Sequence, residues 1–225
     1  MIAKTVATDW RAMKVYQIRV LLLPLLAVAL GWFSPWTTIP ICAFFSFCFS
    51  LNPFAVEDKG ALNSLYLTLP ITRRNIVAGR YALSLVMLAC GVVIGVVFMP
   101  LANLLSKMIL RSEWYAGLNG TIAIIAASFV LYAVFNLFAF PILFRFGYAK
   151  GKPWGVYLPV IFFSLIFGVF FTVASWPGNE LLQLRLISYA SENIVAVSGG
   201  LTLLAIAFLL MSYTLSVRLY SKRDF

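Results

Sequence analysis

No histidine occurs at any of the 225 positions of this chain. That absence removes the imidazole base of a serine hydrolase, the histidine of a lipid phosphatase and the His-rich ligand sets of membrane metalloproteases. Acid is almost as scarce. The seven carboxylates (Asp9, Glu57, Asp58, Glu113, Glu180, Glu192 and Asp224) all fall at the ends of apolar runs or in the links between them. A proton- or sodium-coupled carrier needs an ionisable group within the membrane, and no carboxylate sits mid-run here. The GxxxxGK[ST] loop that cradles nucleotide phosphates is missing too. Cys42, Cys48 and Cys90 lie inside apolar runs and suggest neither a disulfide framework nor a zinc site, so they read as small packing residues. The chain carries no visible means of driving anything by itself.

What the sequence has in excess is hydrocarbon. It is 63% hydrophobic and 11% charged, where a soluble domain is about 45–50% apolar and about 25% charged. A bilayer absorbs such a surplus and a soluble core does not. Crossing roughly 30 Å of hydrocarbon takes about 20 apolar residues in a helix. Runs of that kind stand at about 20–35, 37–56, 81–101, 120–144, 155–175 and 194–217. They are continuously apolar, without the alternation of a barrel strand. The expectation is an all-α integral membrane protein, a single transmembrane domain of six helices over 1–225. The first run is short and contains Pro24, but 19 residues including Asp9 and Trp10 precede it, which suits a span better than a cleaved leader.

The cations orient the chain. Lys4, Arg11, Lys14, Arg19, Lys59, Arg73, Arg74, Arg80, Arg145, Lys150, Lys152, Arg218, Lys222 and Arg223 fall on one side of a six-span plan. Only Lys107, Arg111 and Arg185 fall on the other. Cytoplasmic connections carry the excess of Lys and Arg, which puts both termini in the cytoplasm. For Arg145, Lys150, Lys152, Lys222 and Arg223, fixing topology and touching anionic headgroups is a sufficient account.

Within residues 1–17, Ile2, Val6, Trp10 and Met13 recur at helical spacing opposite Lys4, Arg11 and Lys14, the pattern of an amphipathic helix lying in the inner interface. The link 57–80 is the unusual one. A connection that only reverses direction needs about 2–8 residues, and this one uses more than twenty. Leu62, Leu65, Tyr66 and Leu69 repeat at i, i+3, i+4 and i+7, opposite Lys59, Asn63 and Ser64, and Glu57 and Asp58 suit a helix start. Pro70 ends that pattern and Thr72 can cap the next helix. The apolar stripe could lie on lipid or be offered to a cytosolic partner. Gly91 and Gly95 form a GxxxG that permits close helix approach, within the chain or in a dimer. Asn136, deep in the fourth span, either bonds a neighbouring helix or lines a polar path, and Pro159 implies a kink in the fifth.

The run "EDKGALNSLYLTLPITRRNIVAGRYALSL" resembles the cytoplasmic link and third span of ABC type 2 permeases, the membrane subunits of ATP-driven exporters. The resemblance rests on Leu69, Pro70, Ile71, Thr72 and Arg73, then Ile76, Val77, Arg80 and Tyr81, with "LSVRLYSKRDF" resembling the family's cytoplasmic tail. It implies that the 57–69 helix is a coupling helix seated on a separate ATP-binding cassette subunit, which binds ATP and Mg; no cofactor is expected in this chain. Glu57, Asp58, Leu62, Leu65, Tyr66, Leu69, Pro70, Thr72, Arg73 and Arg74 are the expected partner-binding residues, and Arg80 is expected at the headgroups or paired with acid on the partner. A second permease subunit, identical or related, and an outer helix around 179–189 are further implications. Relatives export amphipathic peptides, drugs or lipids. A competing expectation is a non-transporting membrane anchor that docks a cytosolic partner through 57–74.

Overall fold

The computed structural model describes residues 6, 10, 23–31, 35–60, 72–110, 117–165 and 192–222, with the side chains of 23, 26, 58–60 and 110 set aside. Every regular element among them is helical. Helix α1 (Leu23–Gly31) comes first; a 3-10 turn at Pro35–Thr37 leads into α2 (Thr38–Ser50), and α3 (Asn52–Gly60) follows α2 after a turn at Leu51. Then come α4 (Arg73–Leu110), α5 (Leu118–Lys152) and α6 (Ile194–Ser221). Four helical stretches among the described residues are long and apolar enough to cross a membrane: Pro35–Glu57, Arg73–Ile109, Leu118–Leu165 and Ile194–Ser221.

After the turn at Leu51, Pro53 sits in the first turn of α3, where its missing N–H costs nothing, and the helix carries Phe54, Ala55 and Glu57 inward. Helix α4 is 38 residues long, about 57 Å at 1.5 Å per residue, and outruns the expected span at both ends.

The stretch Leu118–Leu165 spans 48 residues, about 72 Å if straight, which is more than twice the hydrocarbon thickness. It is not straight. Gly147 has φ 77° and ψ 178°, a backbone region essentially reserved for glycine, and the chain folds back there. Beyond the reversal, a Cβ at Gly151 would lie 3.1 Å from the Leu143 side chain and one at Gly155 3.3 Å from the Ala139 Cα, while the Phe163 ring stands 5.2 Å from that of Phe135. Two antiparallel helical arms therefore meet at one residue, where the sequence suggested a link carrying Arg145, Lys150 and Lys152. After helical residues 148–152 the returning arm carries a π turn at Pro153–Tyr157, closed by the Leu158 N–H donating to the Pro153 carbonyl. The helix resumes through Pro159 to residue 165. A Gly147→Ala variant is expected to cost about 1–3 kcal/mol, read as a lower unfolding midpoint in detergent, because a Cβ penalises this φ/ψ region.

Helix α4 runs antiparallel to α2, α5 and α6. Gly91 and Gly95 face α2, where Cβ atoms would collide with Ser46 Oγ and come within 2.9 Å of the Cys42 carbonyl oxygen and the Ile39 Cα. The main core lies between α2, α3, α4, α5 and α6, around Phe47, Phe54, Tyr132, Phe140 and Phe144, all at most 2% exposed. Their rings meet largely edge to face, as in Phe54–Phe144 at 4.9 Å and Phe47–Tyr132 at 6.1 Å. Of the expected interfacial helix 1–17, only Val6 and Trp10 are described; both are helical, and Val6 packs on Leu83 and Met87 of α4. The expected outer helix at 179–189 lies outside the described residues.

The side-chain cations sort by end of the bundle. Arg73, Arg74, Arg80, Arg145, Lys150, Lys152, Arg218 and Lys222 stand at the end where the 57–73 link attaches, and Lys107 at the opposite end, among the described residues.

Candidate functional site

The link's two attachment points are described, and its middle is not. Leu62, Leu65, Tyr66, Leu69 and Pro70 lie outside the described residues, as does the Asp58 side chain. Thr72 starts α4: its carbonyl accepts from the Asn75 N–H at 2.9 Å and the Ile76 N–H at 3.2 Å, with its Oγ1 3.4 Å from the same Asn75 nitrogen. Arg73 reaches across to the end of α6, donating to the carbonyls of Ser221 at 2.9 Å and Tyr220 at 3.4 Å. A cation on the terminal carbonyls of a helix complements its dipole and satisfies acceptors that have no partner in the helix. The Arg74 Nε lies 3.5 Å from the Tyr213 hydroxyl.

Six residues beyond Arg74, Arg80 departs from the expectation. It is 2% exposed, and its guanidinium donates to Glu57 Oε2, whose residue is itself 6% exposed. Glu57 was expected on the partner subunit, and Arg80 at the headgroups or paired with acid on that partner; in the structure the two pair inside the chain. The Arg80 cation also lies 4.3 Å from the Phe54 ring centre and 5.5 Å from that of Phe144. Cation–π attraction is largest where water is excluded, and both rings are in the core. The second carboxylate oxygen, Glu57 Oε1, has no hydrogen-bond partner among the described residues. A guanidinium and a carboxylate 23 positions apart thus bind the start of the link to the first turns of α4.

Next to this pair stands a layer of polar side chains that the sequence reading took only in part, through Asn136. Tyr81 shares its hydroxyl with Ser212 Oγ at 2.5 Å and Ser216 Oγ at 2.9 Å. The Tyr132 hydroxyl donates to the Ser84 carbonyl at 2.6 Å, and Ser84 Oγ lies 2.6 Å from that hydroxyl and 3.2 Å from Asn136 Oδ1. The Asn136 amide donates to the Tyr132 carbonyl at 2.8 Å, and Ser212 Oγ donates to the Asn136 carbonyl at 2.8 Å. All six residues are buried. Buried polar groups in a membrane interior hold helices together because the alternative is an unpaired group in hydrocarbon. A signal for this layer existed: Tyr81/Ser84, Tyr132/Asn136 and Ser212/Ser216 each lie at i, i+3 or i+4, marking one polar face on three otherwise apolar helices.

Beyond that layer, toward the opposite end, α4, α5 and α6 part around a groove of about 960 Å³. Leu88, Val92, Ile122, Phe129, Gly199 and Leu203 are among its lining. The hydroxyls of Ser198 and Thr202 in its wall donate to the carbonyls of Ile194 (2.6 Å) and Ser198 (2.8 Å) of their own helix. The groove therefore offers mainly aliphatic surface.

The arrangement joins three parts: a link clasped at its base, a polar layer fastening three helices, and an apolar groove beyond it. No curated protein and no solved structure matches the chain. The family model described as "ABC-2 family transporter protein" matches residues 2–221. That match covers nearly the whole chain, so the protein belongs to the ABC-2 transporter family, whose permeases are membrane transport components that work with ATP-binding cassette subunits.

Proposed function

We propose that the chain is the permease subunit of an ATP-driven exporter in the cell membrane, with both termini cytoplasmic. It crosses six times, the two arms around Gly147 counting as the fourth and fifth spans, and pairs with a second permease subunit, the same or related, to form the path. ATP and Mg are bound, and ATP is hydrolysed, by a separate cassette subunit. The coupling stretch 57–69 leaves from the last turns of α3, which hold Glu57, and seats Leu62, Leu65, Tyr66 and Leu69 in that subunit. An amphipathic peptide, drug or lipid suits the aliphatic groove.

The observation that carries this reading is the double anchorage of the link: the buried Glu57–Arg80 pair at its base and Arg73 on the end of α6. A displacement applied to residues between these anchors is delivered to α3, α4 and α6 together. The excess of cations at that end supports its cytoplasmic placement.

The test is co-purification. A C-terminally tagged chain extracted in mild detergent from native cells should bring down an approximately stoichiometric P-loop protein with ATPase activity. Leu65→Asp and Tyr66→Asp should abolish that association while leaving the permease monodisperse. Recovery alone, or with a partner lacking a P-loop, would favour the anchor reading.

A further inference from the structure

The hairpin tip at Gly147 joins cations that topology alone would explain to an apolar stripe that it does not. Arg145, Lys150 and Lys152 all lie within five residues of the reversal, and residues 145–157 contain no acid. Arg145 and Lys150 are exposed. The Lys152 ammonium stands 5.4 Å from the Tyr148 ring centre and 5.0 Å from that of Tyr157, and the Arg145 cation 5.0 Å from that of Phe146. The arms pack against each other immediately after the turn, at Gly151 and Gly155. The tip is therefore short, and its three cations cluster at the basic end of the bundle.

The returning arm continues the pattern with hydrocarbon. Its inward face, Gly155, Val156 and Pro159, is buried. On the opposite face Trp154, Tyr157, Leu158, Ile161, Phe162 and Leu165 are 49–65% exposed, at i, i+3, i+4, i+7, i+8 and i+11, one stripe of a helix. From Trp154 to Leu165 the stripe rises about 17 Å, close to half of the roughly 30 Å hydrocarbon core. Three cations at the foot of a one-leaflet apolar stripe complement a molecule with an anionic head and two acyl tails.

We propose that the Gly147 hairpin is a binding site for an anionic glycerophospholipid of the leaflet at this end. Its phosphate is held by Arg145, Lys150 and Lys152, and its chains lie along the stripe from Trp154 to Leu165. This goes beyond general contact with the membrane, because it requires a preference for charge at one place. It is independent of the permease reading.

The test uses the full chain purified in mild, uncharged detergent, with native mass spectrometry and thermal unfolding as readouts. Dioleoyl-phosphatidylglycerol is expected to stay bound and raise the unfolding midpoint, with dioleoyl-phosphatidylcholine at least about tenfold weaker. Lys150→Gln should weaken binding about fivefold, and Arg145→Gln/Lys150→Gln/Lys152→Gln should erase the preference, since each basic residue contributes at an anionic surface. Arg218→Gln/Lys222→Gln, at the same end of the bundle, should keep it. If the triple variant does not fold, wild-type preference that falls with added NaCl together with the Lys150→Gln loss carries the same information. Equal retention of both lipids, or equal loss in the Arg218/Lys222 variant, overturns the proposal. So does protection by water-soluble glycerol 3-phosphate, which would mean a free-anion site. A dimer that ignores lipid and dissociates on Leu158→Asn/Ile161→Asn would mean that a second copy covers the stripe.

Discussion

Arg80→Met is expected to lower stability by about 3–5 kcal/mol, the usual cost of removing one partner of a buried ion pair. The residue lost is 2% exposed, and the Glu57 carboxylate it leaves behind is 6% exposed, with one oxygen already lacking a partner among the described residues. Methionine fills much of the volume but offers no donor and no cation for the Phe54 ring. The double variant Glu57→Gln/Arg80→Met should regain much of that loss, because no charge is then left in the core. Unfolding midpoints and monodispersity by size exclusion in detergent check both. A fully additive pair of single-variant losses would mean that the two side chains do not act together. Association with a cassette subunit separates fold from coupling. A Glu57→Gln chain that remains folded and bound, but no longer changes its partner's ATPase rate, would place the clasp in force transmission.

Gly91→Val/Gly95→Val is expected to separate α2 from α4. Each added Cβ lies 2.9 Å from an α2 backbone atom, the Cys42 carbonyl oxygen or the Ile39 Cα, and backbone does not yield as a side-chain tip does. Overpacking of this kind costs about 1–3 kcal/mol per site, and both sites lie on one seam. Gly199→Ala and Gly200→Ala supply the control. A Cβ at either position of α6 meets nothing within 4 Å, and alanine is up to about 1 kcal/mol better than glycine in a helix interior. Those variants should be neutral or stabilising, while the α2-facing pair should fall out of the monodisperse fraction. Preserved folding of the Gly91/Gly95 variant would remove the α2–α4 seam from the account.

Much of this molecule was legible without coordinates. Hydropathy alone marks the membrane class and most of the helices, because a bilayer asks only for length and apolarity. The one-sided placement of Lys and Arg reappears as a basic end of the bundle. Thr72 stands at the start of α4, as its position before the basic turn suggested. The signature from Leu69 to Tyr81 pointed to the family that the match over residues 2–221 shows.

Tertiary structure decided the rest. Which residue answers Arg80 depended on bringing α3 beside α4, and a sequence places Glu57 at a link without saying that it faces inward. Gly147 is one glycine among 14, and only its φ of 77° makes it the point where two arms meet. Gly91 and Gly95 permit a close approach, but the partner helix is fixed by where α2 lies. The polar layer is spread over Tyr81, Ser84, Tyr132, Asn136, Ser212 and Ser216, each ordinary alone. Local pattern determined what could enter the membrane, because burial in lipid is a property of each segment. Pairing across 23 to 135 positions depends on packing, which no single segment contains.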